Sequence, residues 1–206
     1  MSIIKGLRAA TARSPTVSKT VTVGSLTASG GLAIGEDPQS AARKLSAVDR
    51  CIEILSDSIA KLPNYVIDTR TRERTDHELL RLLNIRPNEA MTPFVRKKVL
   101  ETSRLEGGNG YDWIVRDERT GKPVELIPVP WYLVQPWHDM AGRVWYDVTH
   151  PFSGEVMRLP NEDVCHYKNA TRNGLLGLGT VTRAGEVIAA ARAAQEYELS
   201  YYANGG

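Results

Sequence analysis

The sequence predicts an α+β fold, with N-terminal helices packed on a small antiparallel β layer and a long C-terminal helix after it. Three observations carry this. Leu45, Val48, Ile52, Leu55, Ile59 and Leu62 recur at alternating spacings of three and four, the period of a helix with one apolar side. From Tyr111 to Tyr167 the chain turns to short aromatic and β-branched runs broken by Gly and Pro, and all four tryptophans fall there. Beyond Thr180 it turns alanine-rich and helical again.

Composition narrows the class. The chain has 206 residues, a formal net charge of +2, 42% apolar and 24% charged residues. These are ordinary globular values, and a chain of this length buries roughly 70% of its unfolded surface. They fit one domain with appendages or two small ones, and exclude wholesale disorder, collagen and a disulfide scaffold. No apolar run reaches the roughly 18 residues of a bilayer span, so no membrane partner is expected. Cys51 and Cys165 do not make a zinc cluster, and His77, His138, His150 and His166 lack ligand spacing. No metal or cofactor is therefore expected. The near-zero charge makes any nucleic-acid contact local or indirect.

Residues 1–35 carry Lys5, Arg8, Arg13 and Lys19 but no acidic or aromatic residue. So few apolar groups do not offset the ordering entropy, and the segment reads as a disordered basic arm. A transit peptide, or an arm that touches nucleic acid or a partner, are the other readings. Order is expected from residue 36, with Asp37 and Pro38 as a helix start, and the apolar stripe reads as one buried face up to Pro63. Tyr65-Val66-Ile67 reads as a strand and Thr69–Arg74 as a charged turn. Asp76 reads as the cap of a short helix carrying Leu79, Leu80, Leu82 and Leu83, broken by Arg86-Pro87-Asn88. Thr92-Pro93 opens the next helix. Phe94, Val95 and Val99 are its core candidates, Arg96-Lys97-Lys98 its solvated face, and Gly107-Gly108 its end.

Strands are expected at Tyr111–Arg116, Val124–Val129, Val144–Val148, Glu155–Leu159 and Val164–Tyr167. Turns at Asp117–Gly121 and Pro151–Gly154 suggest a meander of hairpins. The glycine-punctuated loop Asn169–Gly179 leads into a helix over Thr180–Tyr202, about 34 Å long. Ala184, Val187, Ile188, Ala191 and Ala194 form its apolar side. Small residues allow close approach but bury little area each, so this helix needs a packing partner, and another subunit is one. Ala184, Ile188, Ala191 and Ala194 are the candidate interface residues.

Motifs for chemistry are weak. Gly177-Leu178-Gly179 precedes a helix, yet no Lys and no third glycine follow, so it reads as a helix entry turn rather than a phosphate loop. Cys165-His166 beside Glu162-Asp163 invites a hydrolase or processing enzyme using His166, Asp163 and Cys165. Adjacent strand residues point to opposite faces, however, which separates nucleophile from base. A nucleic-acid-binding module led by the basic arm is the other alternative. No catalytic constellation emerges, and the chain is not expected to be an enzyme.

A run of blocks adds a family resemblance. The run Leu45 to Pro63, ending Asp57-Ser58-Ile59-Ala60-Lys61-Leu62-Pro63, resembles the opening helix of portal (head–tail connector) proteins of tailed bacteriophages. His77 to Asn84 followed by Arg86-Pro87-Asn88-Glu89 is similar to that family's next block. So are Leu105 to Tyr111 with Arg116-Asp117, Leu126 to Val129, Leu159-Pro160 with Glu162-Asp163-Val164 and His166, and Tyr201 to Gly205. The blocks fall in the family's order. Gly177-Leu178-Gly179-Thr180 stands where the family has Gly-x-Ser-Pro. The resemblance implies a wing-like α+β domain over 36–179 and a stem-like helix over 180–206, with the chain stopping before clip, tunnel and crown segments. It implies other portal subunits as partners in a dodecameric ring at the capsid vertex. It further implies terminase large subunit, major capsid protein and head–tail adaptor as docking partners, and double-stranded DNA passing through without sequence specificity. The place implied is the virion, with the host cytoplasm during assembly. The family catalyses no chemistry itself.

Overall fold

The computed structural model describes residues 45–150 and 153–205. The expected basic arm and the helix start at Asp37-Pro38 lie outside the described residues. Helix α1 (Ser46–Ala60) is followed by a two-stranded ribbon of β1 (Val66–Ile67) and β2 (Arg74–Thr75), then helices α2 (Leu79–Asn84) and α3 (Pro93–Gly107). Strand β3 (Asn109–Arg116) pairs antiparallel with β4 (Pro123–Val129) on one side and β8 (Val164–Lys168) on the other. A second antiparallel sheet holds β5 (Val134–His138), β6 (Val144–Thr149) and β7 (Val156–Pro160) in sequence order. A four-residue helix, α4 (Thr180–Arg183), and a 19-residue one, α5 (Gly185–Ala203), come last.

The expected single meander is thus two three-stranded sheets, because β8 leaves the hairpin order and returns to β3. Strand β5 was not expected, since Pro136 interrupts its pattern. It forms nonetheless, with Val134 and Pro136 buried and Gln135 exposed. The main core lies between the sheets, where Tyr111, Val134, Tyr146, Val148, Leu159 and Val164 pack together. Tyr111 and Tyr146 meet edge to face, with ring centres 5.8 Å apart.

On the other face of the first sheet lies α3, and α1 packs on α3. Thr92 caps α3 as expected: its hydroxyl accepts from the Val95 N–H at 3.3 Å, and Pro93 takes the first position. Gly108 ends it in the left-handed region at φ 81°. Its buried side differs from the expectation. Phe94 and Val95 are exposed, while Arg96, Leu100, Glu101, Ser103, Leu105 and Glu106 are buried. Arg96 reaches through the layer and pairs with Asp112 of β3, and both side chains are essentially inaccessible. The charge pattern alone therefore misassigned Arg96 to solvent, because its partner lies on a different element.

The α1 stripe is corrected too. Ile52, Ser56 and Ala60 are buried, whereas Leu55, Ile59 and Leu62 are 51%, 45% and 57% exposed. After Ile52 at position i, which packs on Leu105, the positions i+4 and i+8 carry the small Ser56 and Ala60, which let α1 approach α3 closely, and the Asp57–Lys98 ion pair at 2.8 Å ties the two helices. The bulky stripe is left on the flank.

Expected breakers have structural work. The Pro87 carbonyl accepts from the Leu126 N–H at 2.8 Å, and the Asn88 amide donates to the Leu126 carbonyl at 2.8 Å, so Pro87-Asn88 completes the free edge of β4. The Asn84 side chain at the end of α2 brackets the Asn64 backbone, its Oδ1 accepting from the Asn64 N–H and its Nδ2 donating to the Asn64 carbonyl, while the Asn64 amide donates to the Leu83 carbonyl. Helix α2 begins at Leu79, and the expected cap at Asp76 makes no cap bond.

Candidate assembly surface

The entry to α4 is set by one buried amide. Asn109 sits where α3 hands over to β3, 5% exposed. Its Oδ1 accepts from the Gly177 N–H at 2.7 Å and lies 3.0 Å from His166 Nε2, while its Nδ2 donates to the carbonyls of Gly107 and Gly177. An acceptor-only oxygen requires His166 Nε2 to carry the proton. His166 Nδ1 lies 3.3 Å from the Tyr146 hydroxyl, which lies equally near Asn161 Oδ1. Burial pushes the His166 imidazole down to about 4, with Lys168 adding to the shift. The ring is therefore neutral around pH 7. Tyr111 stacks against it at 4.3 Å. The chain Tyr146–His166–Asn109–Gly177 therefore joins the second sheet, the first sheet and the loop before α4.

The same loop approaches α3 too closely for side chains. A Cβ on Gly177 would overlap the Gly108 carbonyl, and one on Gly179 would overlap the Glu106 carbonyl. Asn169 adds a second tie, donating to the Leu178 carbonyl at 3.1 Å and the Thr180 hydroxyl at 2.9 Å. Helix α4 is thereby fixed, and Val181 is 5% exposed in a small core with Ile52 and Leu105.

The expected continuous helix over Thr180–Tyr202 is broken at Ala184, whose φ −90° and ψ 7° are not helical. The low helix propensity of Gly185 accounts for the break. Of the four candidate interface residues, Ala184 and Ile188 line an apolar groove against Val48, Cys51, Ile52 and Leu55 of the same chain. Ala191 and Ala194 are exposed. No residue of α5 is buried. Val187, Ala190, Ala194, Tyr197 and Tyr201 follow spacings of three and four along it, all exposed.

The residues weighed for hydrolysis are not brought together. His166 faces the inter-sheet core and is occupied by Asn109 and Tyr146. Cys165 pairs in register with Asp112 on the opposite face, where burial and the Asp112 charge push its thiol up. Asp163 accepts from Arg116 at 2.7 Å. The Asn109 hub was not singled out beforehand, although it lies in the Gly107-Gly108-Asn109-Gly110 block on which the resemblance partly rests.

The chain is 25% identical over 169 residues to the portal protein of Enterobacteria phage HK97, covering 79% of this chain and 38% of that one. Its fold resembles a chain in the neck of an empty gene transfer agent (GTA) particle computed with C6 symmetry, at a TM-score of 0.70 and 21% identity, over 84% of this chain and 48% of that one. It also resembles the crystal structure of an HK97-family phage portal protein from Corynebacterium diphtheriae, at a TM-score of 0.51 and 23% identity, over 73% of this chain and 45% of the other. The chain thus spans less than half the length of these relatives. The phage portal protein family matches residues 46–206, from the first turn of α1 to the end, and the chain belongs to that family.

Proposed function

We propose that this chain provides the wing and stem portion of a portal subunit, with 36–179 as the wing-like domain and 180–206 as the stem-like helix. Identical subunits form a ring at the capsid vertex, through which double-stranded DNA passes during packaging and ejection. Terminase large subunit, major capsid protein and the head–tail adaptor dock on that ring, which assembles in the host cytoplasm and resides in the virion. The observation that carries this reading is the last helix. It follows α4, whose entry a buried polar network holds, and exposes an apolar seam at coiled-coil spacing along its whole length. A helix of that kind packs against another chain or another segment. Ala191 and Ala194 lie on its exposed part, with Ala184 and Ile188 at the body end. The relatives in GTA necks, with their C6 and C12 symmetries, support a ring.

The chain carries no catalytic step in this reading. The imidazole, thiol and carboxylate that a hydrolase would need serve packing and ion pairing. Native mass spectrometry of the parent chain and of Ala191→Glu tests the assembly. Self-association in the parent and monomers in the variant, with equal unfolding midpoints, are expected. A parent that stays monomeric at high concentration, together with a variant of lower stability, would place the face inside its own subunit and overturn the reading.

A further inference from the structure

Two features of the first sheet meet at β8. Strand β8 is an edge strand. It pairs with β3 on one side, and along Cys165–Tyr167 its other side makes no backbone hydrogen bond among the described residues. The opposite edge of the sheet is handled differently, since Pro87 and Asn88 close β4 at Leu126. An open edge presents unpaired N–H and C=O groups to another chain.

Beside β8, on the side where Tyr167 and Cys165 point, lies a cleft of about 210 Å³ that also reaches α1 and α3. Ile59 and Leu100 give it apolar walls, and Arg96, Lys97, Glu101 and Arg104 of α3 give it charge. These charges do not cancel. Asp112 holds Arg96, and Glu101 holds Arg104. Lys97 is half-buried and has no carboxylate partner among the described residues; its ammonium donates to the Leu62 carbonyl past the end of α1. Burial and the Arg96 charge push that ammonium down from the ordinary lysine value, so an anion in the cleft would relieve an unfavourable cation. The volume falls below the roughly 300–1,000 Å³ of pockets for drug-sized molecules and suits a single side chain.

We propose that the outer edge of β8 takes up an extended segment of a partner protein as an added strand, and that one acidic side chain of that segment enters the cleft and pairs with Lys97. On an added strand alternate side chains face α3, as Cys165 and Tyr167 do on β8, so one position in two is placed to carry the acid. Backbone pairing along β8 supplies affinity, and the carboxylate supplies selection. The proposal does not depend on ring formation.

Fluorescence anisotropy of labelled pentapeptides tests this on the full chain. Thr-Val-Glu-Val-Thr should bind about tenfold tighter than its Gln counterpart, the difference a charge-assisted contact makes in a half-buried site. Lys97→Met should abolish that preference and Lys97→Arg should restore it. The preference is read within each variant, so a modest loss of stability does not mimic its loss. The comparisons on the parent chain stand alone if a variant folds poorly. Two further peptides are N-methylated, one at the Glu and the other at both Val residues. Only one of them should bind, because an added antiparallel strand uses alternate N–H groups. No binding to the parent, equal affinity for the Glu and Gln peptides, or a preference that survives in Lys97→Met would each overturn the proposal. So would binding by both methylated peptides or by neither. A capped single glutamate that binds as tightly as the pentapeptide would also overturn it, by showing a carboxylate site without strand addition.

Discussion

At Asn109 one side chain satisfies a loop N–H, a histidine and two carbonyls at once. Asn109→Ala leaves the Gly177 N–H and the His166 Nε2–H without their partner in a buried site. A loss of about 2–3 kcal/mol in urea unfolding is expected, since a stranded buried donor costs more than the bond itself contributed. Asp112 poses the charged version of the same problem. Asp112→Ala strands the Arg96 guanidinium, at a cost of about 3–5 kcal/mol, whereas the pair Arg96→Met with Asp112→Leu should recover most of that loss. The His166 environment also sets a pH dependence. Its folded value of about 4 lies below the ordinary imidazole value, so the unfolded chain binds more protons between the two. The resulting stability is fully present above the unfolded value and is lost as pH falls through about 4. Unfolding midpoints should therefore decline from near-neutral pH toward that value, and His166→Gln should flatten the slope. An unchanged slope in His166→Gln would assign the acid sensitivity to other groups.

Each element owes its place to features that differ in how openly the sequence displays them. Gly177→Ala should destabilise the loop–α3 junction by about 2 kcal/mol or more, because the Cβ meets backbone that has no rotamer to give. Gly185→Ala, a chemically identical change eight residues along the same chain, should be neutral or stabilising. Both glycines look alike in sequence, and only the opposing chain distinguishes them. The α3 ends were legible because Thr92-Pro93 and Gly108 act locally, through a cap bond and a left-handed residue. The buried sides of α1 and α3 were not. Periodicity marks where bulky apolar groups lie, but α1 meets α3 through Ser56 and Ala60, and Arg96 is drawn inside by an acid sixteen residues away. Strand β8 crossing to β3 was equally invisible, since nothing in a run of alternating residues names its partner. The helical, alanine-rich character of the last segment was readable. The break at Ala184 and the hub that sets the entry to α4 depend on contacts between distant segments and were not.

At the scale of the whole molecule, two apolar surfaces remain without a partner within the described residues. One is the α1 flank of Leu55, Ile59 and Leu62, and the other is the α5 seam through Ala194 and Tyr197. A two-fold dimer needs only one self-complementary face, whereas a closed ring of more than two subunits joins two different faces of each subunit head to tail. Two unlike apolar faces are what the proposed ring calls for, and complementary variants distinguish the two symmetries. Ile59→Glu blocks the first face and Ala194→Glu the second; both positions are exposed, so neither change should move the unfolding midpoint by more than about 0.5 kcal/mol in free-energy terms. In a head-to-tail ring each variant alone is monomeric, because every contact in a homogeneous sample includes its blocked face. An equimolar mixture restores one intact face on each partner and should sediment as a one-to-one heterodimer that grows no further. If the faces are instead self-complementary, each variant alone still dimerises through its untouched face. Analytical ultracentrifugation of the two variants, separately and mixed, reads the difference directly, and homodimers in either separate sample would rule out head-to-tail assembly through these faces.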